Sequence, residues 1–264
     1  TAKLYIEGVF VIDQDLVFDK SLIQAKAGAS IVILTGTRVD AVKTIFEGCD
    51  SLWKGIEVMD DATLNLENEN SIRDANEGVF LHTRANLTLT NSEVINSVRG
   101  ILIQKSWPGL YMGRISVTGG TFGMYRPAFK PDYPGQSAHG NIPYAGIDIF
   151  DAATITIGDE TQPPNIFHNM NIGVKGFRSR VDVVNFQADS IYRTLYYKSK
   201  PDGAAVSFLG DTSSGVMAPS NVNVWGTTDI LNCDAGVYSH FGSARVTGSR
   251  MTNVKTGIYM WGAR

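Results

Sequence analysis

The sequence predicts an all-β chain wound as a parallel β-helix, a solenoid of about nine coils with loop insertions. Three observations predict it. A glycine followed by an apolar alternation recurs, as in Gly55-Ile-Glu-Val, Gly78-Val-Phe-Leu and Gly100-Ile-Leu-Ile, with spacings of 21 to 23 residues where the copies lie tightest. Each copy is followed by a second alternating run and then a third short segment ending in Asn or Asp. Heptads and long helical stripes are absent, and the alternation has the period of two that belongs to strands.

The elements follow from that unit in order. The glycine-led runs continue at Gly146-Ile-Asp-Ile, Gly173-Val-Lys-Gly, Gly236-Val-Tyr-Ser and Gly257-Ile-Tyr-Met, with a weaker copy at Ala204-Ala-Val-Ser-Phe. The second runs are ATLNLEN from Ala62, ANLTLTN from Ala85, RISVTGG from Arg114, ATITIGD from Ala153, RVDVVNF from Arg180, NVNVWGT from Asn221 and ARVTGSR from Ala244. The third segments are NSIRD, SEVIN, NIFHN, DILN and SRMTN, ending at Asp74, Asn96, Asn169, Asn232 and Asn253. Three short strands and three turns per period cannot bury an inward face alone, so only the stack is stable. A β-sandwich is the competing fold, and it needs hairpin signals such as Asn-Gly turns, which are scarce here.

The unit SLWKGIEV at Ser51, with NSIRDANEGVFL and SEVINSVRGILI, resembles the right-handed, pectin-lyase-like β-helix superfold and in particular the extracellular β-helix proteins of Bacteroidetes. That resemblance covers nearly the whole chain and implies architecture rather than chemistry. It also implies export to the cell surface, by the type IX route, whose sorting domain is not within these residues. The expected organisation is one β-helix domain over 1–264, or a fragment of a longer chain, with insertions near 104–113, 122–145, 191–203 and 209–220.

With 264 residues, 43% of them hydrophobic, the chain is long enough for a real core. Its net charge of -3 and lack of Lys/Arg runs exclude the electrostatic footprint of a nucleic-acid binder. Apolar runs of four to six residues are too short for a membrane helix of about 20. The start TAKLYIEGVFVIDQ has no charged region leading into an apolar one, so a secretory signal is expected to have been removed or never present. The first residue and the finish at TGIYMWGAR suggest a mature product or an excised fragment.

Asp74, Asn96, Asn169, Asn232 and Asn253 share one phase, which stacks them about 4.8 Å apart. Asn and Asp tolerate the left-handed backbone of a tight bend, and stacked amides donate up and accept down, so this column is expected to be a structural ladder.

The outer face of the glycine-led strands carries the candidate chemistry. One outward column is expected to read Glu57, Phe80, Leu102, Asp148, Lys175, Tyr238 and Tyr259. Two residues on, the next reads Met59, His82, Gln104, Phe150, Phe177, His240 and Trp261. Exposed aromatics at that density mark a binding face or rings packed beneath loops. Ligand-binding candidates are therefore Phe80, His82, Gln104, Phe150, Phe177, Tyr238, His240, Tyr259 and Trp261, with a polysaccharide or another surface protein as partner. Insertions rich in Tyr and Pro, such as FGMYRPAFKPDYPGQSAHGNIPYAG from Phe122, are the alternative cover.

Catalysis is weighed against that. Glycoside hydrolysis needs two carboxyls about 5 to 9.5 Å apart, whereas Glu57 and Asp148 lie three coils, about 14 Å, apart. A polysaccharide lyase acting on acidic polysaccharide needs cationic neutralisation of a uronate and a Lys or Arg base, and the best local set is Asp148 and Asp151 with Lys175 and Arg178. A stacked Asp148–Lys175 pair also suits a salt bridge. His82 and His240 lie about five coils, roughly 24 Å, apart and cannot share a metal. Asp13, Asp15 and Asp19 offer at most a weak Ca2+ site, and no other cofactor is expected. Cys49 and Cys233 lie about 29 Å apart, beyond the limit of about 7 Å for a disulfide, and should be free thiols.

The leading expectation is a secreted or cell-surface module for binding, adhesion or structure, with glycan as a ligand. A polysaccharide lyase, or a glycoside hydrolase, is the alternative. Self-association through the β-helix ends into a filament or surface layer is the third.

Overall fold

The computed structural model describes residues 2–104, 113–152, 154–194, 203–211 and 220–262, and among these it has 29 strands and no helix. They wind as nine coils of three strands and a tenth of two, and every strand pairing between neighbouring coils is parallel. The first strands of the coils form one ten-stranded sheet and the second strands another, while the third strands divide into a five-stranded and a four-stranded sheet. Of the anticipated insertions, residues 105–112, 195–202 and 212–219 lie outside the described residues.

The glycine-led runs are the second strands. Val79 is in register with Ile56 and Ile101, Ile147 with Val174, and Val206 with Val237, and all seven are buried. At Gly78, Gly100, Gly146, Gly173 and Gly236 the recurrent glycine is required by close approach, and at Gly55 by a φ of 115° as well. A Cβ on Gly78 would sit 2.6 Å from the Gly100 carbonyl oxygen, and one on Gly146 2.8 Å from that of Gly173, so the next coil could not stack. The first sheet contributes larger side chains. Phe122 and Phe167 stack at 5.1 Å with an interplanar angle of 12°, and both are fully buried, each stabilising the stack by about 1.5–3 kcal/mol.

Corners are made by left-handed residues. Asp74, Asn96, Asn169, Asn232 and Asn253 all have φ between 50° and 60°, at the bend from first to second strand. The continuous amide ladder expected there is not formed. In register, Met124 separates Asn96 from Asn169, and Ser190 separates Asn169 from Asn232. Only Asn253 donates to Asn232, at 2.7 Å, while Asn96 accepts from the Tyr125 amide and Asn169 donates to the Met124 carbonyl. The cause is the insertion after Gly123: the chain leaves the corner there, and the neighbouring side chains bond it instead.

A ladder does run inside the preceding corner, from third strand to first. The Thr44 hydroxyl accepts from the Ser21 amide, the Asn70 carbonyl oxygen from the Thr44 amide, the Ser92 hydroxyl from the Asn70 amide, and the Asn165 carbonyl oxygen from the Gly120 amide. All five side-chain-bearing members, Ser21, Thr44, Asn70, Ser92 and Asn165, are buried, so each satisfies a backbone group that water cannot reach.

The insertion between the strands Thr121–Gly123 and Ala145–Phe150 forms a strap over the outside of the stack. It descends from the sixth coil to the second and third, where Tyr133 lies against Gly28, Leu52 donates to the Pro131 carbonyl, and the Lys130 ammonium donates to the carbonyls of Gly48 and Cys49. It returns to the seventh coil, where the Asn171 amide donates to Pro143 at 2.9 Å.

Candidate ligand-binding face

Strand alternation sends the residue after each buried Ile or Val outward, so Glu57, Phe80, Leu102, Asp148, Lys175, Ser207, Tyr238 and Tyr259 are consecutive in register on the second sheet. This column is not uniformly exposed. Asp148 and Ser207 have no exposed surface and Lys175 and Leu102 have 8% each, and the strap's returning arm lays the Tyr144 ring against Lys175 and Arg99.

Under that cover the charges are saturated. Lys175 donates to Asp148 Oδ1 at 3.0 Å and Arg99 Nε to Oδ2 at 3.3 Å, while Arg99 Nη1 reaches Glu77 at 3.2 Å. The Lys175 ammonium also lies 4.9 Å from the Tyr144 ring centroid and 4.7 Å from that of Phe150. Burial works to lower the basicity of Lys175, but Asp148 and Tyr144 outweigh it, and its pKa is raised. An ammonium so held is a poor base near neutral pH.

Asp151 and Arg178 form a separate pair, with Nη2 to Oδ2 at 2.8 Å and Nε to Oδ1 at 2.7 Å, and Arg178 also reaches Asp211 at 3.3 Å. The four residues that the sequence offers as lyase machinery are thus two ion-pair clusters, corner and face, each with a buried carboxylate. Unpairing either would leave a charge without compensation.

Phe80, His82, Phe150 and Phe177 are half-buried. His82 Nε2 lies 2.7 Å from Glu57 Oε1, with its ring 4.6 Å from that of Phe80. Phe150 and Phe177 sit 6.1 Å apart, and the Arg178 guanidinium lies 4.8 Å from the Phe177 ring. Beside Phe80, a cleft of about 180 Å³ lies between the strap's Tyr133 and the residues Lys54, Glu57 and Glu77. Burial pushes the Glu77 carboxyl up, against the opposing charge of Arg99. Glu77 was not among the residues singled out from sequence. It sits at a register shift between Glu77 and Val79, which no sequence pattern marks. Gln104 is exposed at its strand's end.

The face opens at the ninth and tenth coils. Tyr238 and Tyr259 stack at 4.9 Å with an interplanar angle of 14°, and His240 and Trp261 at 4.3 Å with 9°, so two parallel ladders of rings run side by side. Tyr259 is 44% and Trp261 56% exposed. A groove of about 340 Å³ runs beside the tyrosines, lined also by Arg193, Asp234 and Lys255. Asp234 pairs with Lys255 and accepts the Arg193 amide at 2.6 Å. Burial pushes the Tyr238 hydroxyl up and the His240 imidazole down.

Elsewhere, Asp13, Asp15 and Asp19 are exposed, with Asp15 accepting the Arg38 amide at 2.8 Å. Among the described residues, no group of three or more His, Cys, Asp or Glu could hold a metal ion. Cys49 and Cys233 are free, and burial pushes the Cys233 thiol up to about 11. No described helix is long and apolar enough to cross a membrane.

A stack of parallel coils whose outer strands present rings and charges defines the class: the protein is a right-handed parallel β-helix. The family model of the right handed beta helix region matches residues 5–122. Among solved structures the chain is similar to the Streptococcus pneumoniae surface protein and adhesin PfbA, with 10% identity, coverage of 100% of this chain and 92% of that one, and a TM-score of 0.25. A likeness at that level says nothing of what this chain binds. No curated protein matches it.

Proposed function

We propose that this β-helix is an extracellular binding module that holds glycan chains on the outer face of its second sheet, at the ninth and tenth coils. The observation that carries the reading is the Tyr238–Tyr259 stack beside a groove lined by Arg193, Asp234 and Lys255. A sugar ring offers an apolar C–H face to an aromatic ring and hydroxyls to flanking charged groups; here the rings stand on paired strands and the charged groups lie just outside the strand ends. Extracellular placement rests on the resemblance of SLWKGIEV and the NSIRDANEGVFL unit to exported β-helix proteins.

Catalysis at Asp148 and Lys175 is the weaker reading, since the carboxylate has no exposed surface and the ammonium is held by it. A glycan array probed with the intact chain, followed by calorimetry on the retained glycans, tests the proposal. Tyr259→Ala is expected to weaken binding about tenfold, the loss of one stacking platform. Unchanged affinity in that variant, or release of unsaturated sugars from uronate polysaccharides, overturns it.

A further inference from the structure

The third sheet carries a second constellation that belongs to neither ring ladder. Asp182, Asn223 and Arg245 are consecutive in register on the outward side of three successive coils, and Trp225 follows two residues after Asn223 on the same side. Together with Thr247 they line a groove of about 330 Å³, within the range of about 300–1,000 Å³ usual for ligand pockets. Trp225 is 38% exposed, and its ring has no aromatic or cationic partner among the described residues. Arg245 is exposed and has no ion pair there either, although most cations on this protein are matched to a carboxylate. Asn223 donates to Asp182 Oδ1 at 2.6 Å, which orients both side chains and leaves the second carboxylate oxygen and the amide oxygen as acceptors.

We propose that this groove binds a singly charged acidic sugar residue, with its ring on Trp225, its hydroxyls on Asp182 and Asn223, and its anion on Arg245. Each group in the groove asks for one feature. An unpartnered indole asks for a flat apolar face, free acceptors ask for hydroxyl donors, and an unpaired guanidinium one residue-pair above asks for a planar anion. A neutral hexose lacks the last. A nucleoside phosphate supplies all three, but its denser charge would meet only one cation, beside the Asp182 carboxylate and on a chain of net charge -3.

The matched probes are a glucuronate-containing oligosaccharide and its carboxyl-reduced neutral counterpart, titrated calorimetrically into the intact chain. The acidic form binds about tenfold tighter, the worth of one charge-assisted contact, and the preference shrinks in high salt. Arg245→Gln abolishes the preference without weakening the neutral form, and Trp225→Ala weakens both about tenfold. Both side chains are exposed, so unchanged melting temperatures certify the fold. In the Tyr259→Ala background, which weakens the site on the second sheet, the acidic preference and its loss in Arg245→Gln persist, which separates this groove from that site. Equal affinity for the two probes, full affinity in Trp225→Ala, or tighter binding of a nucleoside monophosphate overturns the assignment.

Discussion

Arg126 donates to the carboxylate of Asp74 at 2.7 Å across 52 residues of sequence, and Lys130 lies 3.0 Å from its other oxygen. Asp74 has no exposed surface, so the corner of the fourth coil buries a carboxylate whose paired cations, among the described residues, come from the strap. Asp74→Asn keeps the left-handed backbone and removes the charge. It is expected to lower unfolding stability by about 1.5–3 kcal/mol and to open residues 124–144 to proteolysis. Urea titration and limited digestion of the two proteins measure both effects.

Lys175→Met leaves Asp148 buried with Arg99 alone. The expected cost is about 3–5 kcal/mol in denaturant unfolding, whereas combining it with Asp148→Leu recovers most of that, as apolar replacement of a whole buried pair does. A double-mutant cycle reads the coupling directly. Glycan binding at the tyrosine stack is expected to be unaffected in both variants.

Glu77 gives the pH dependence a definite sign. Its folded pKa lies above the ordinary 4.5 because of burial. Between 4.5 and the raised value the folded state holds the proton that the unfolded state has lost, so stability from this group falls as pH rises through that window. Glu77→Gln is expected to flatten that part of the stability profile, measured by urea midpoints taken at intervals above pH 4.5. A profile that stays unchanged would remove the assigned burial effect.

Two asparagines that look alike in sequence should behave differently. Asn70 is 1% exposed; its amide donates to the Ala41 and Glu67 carbonyls and its oxygen accepts from the Thr44 amide. Asn70→Ala strands those buried groups, at about 1–3 kcal/mol each before relaxation. The Asn253 side chain is exposed and, among the described residues, bonds only Asn232, so Asn253→Ala is expected to cost under about 1 kcal/mol. Thermal melts of the two variants compare them.

The stack was legible because alternation and stacking are local rules repeated: Gly100, Ile101, Leu102 and Ile103 each declare a direction, and every later copy declares the same. The ladder through Ser21, Thr44, Asn70, Ser92 and Asn165 was not, since its members share an acceptor oxygen and no residue type. The Asn corner is conspicuous in sequence because four of its five members share one residue type. Residues 122–145 were legible as an insertion, but their course depends on Arg126 meeting Asp74, a pairing with no local signature. Trp225 carries no signal beyond the strand run NVNVWGT, because a lone exposed ring among alternating residues looks like any other outward position. The lyase candidates were adjacent as predicted by stacking; what sequence could not show was Tyr144 lying over them.

Coils that touch only their neighbours melt as a chain of weakly linked units, each end loosening independently. The strap breaks that rule, because Lys130 reaches Gly48 from 82 residues away and Pro143 holds the seventh coil. Coils two to seven are thereby clasped into one cooperative block, while coils eight to ten, which carry both proposed ligand grooves for the most part, remain outside the clasp. Amide exchange should divide the molecule at that line: slow and concerted below, faster and graded above. The binding face would then sit on the part of the spiral that is free to breathe, borne on a base that is not.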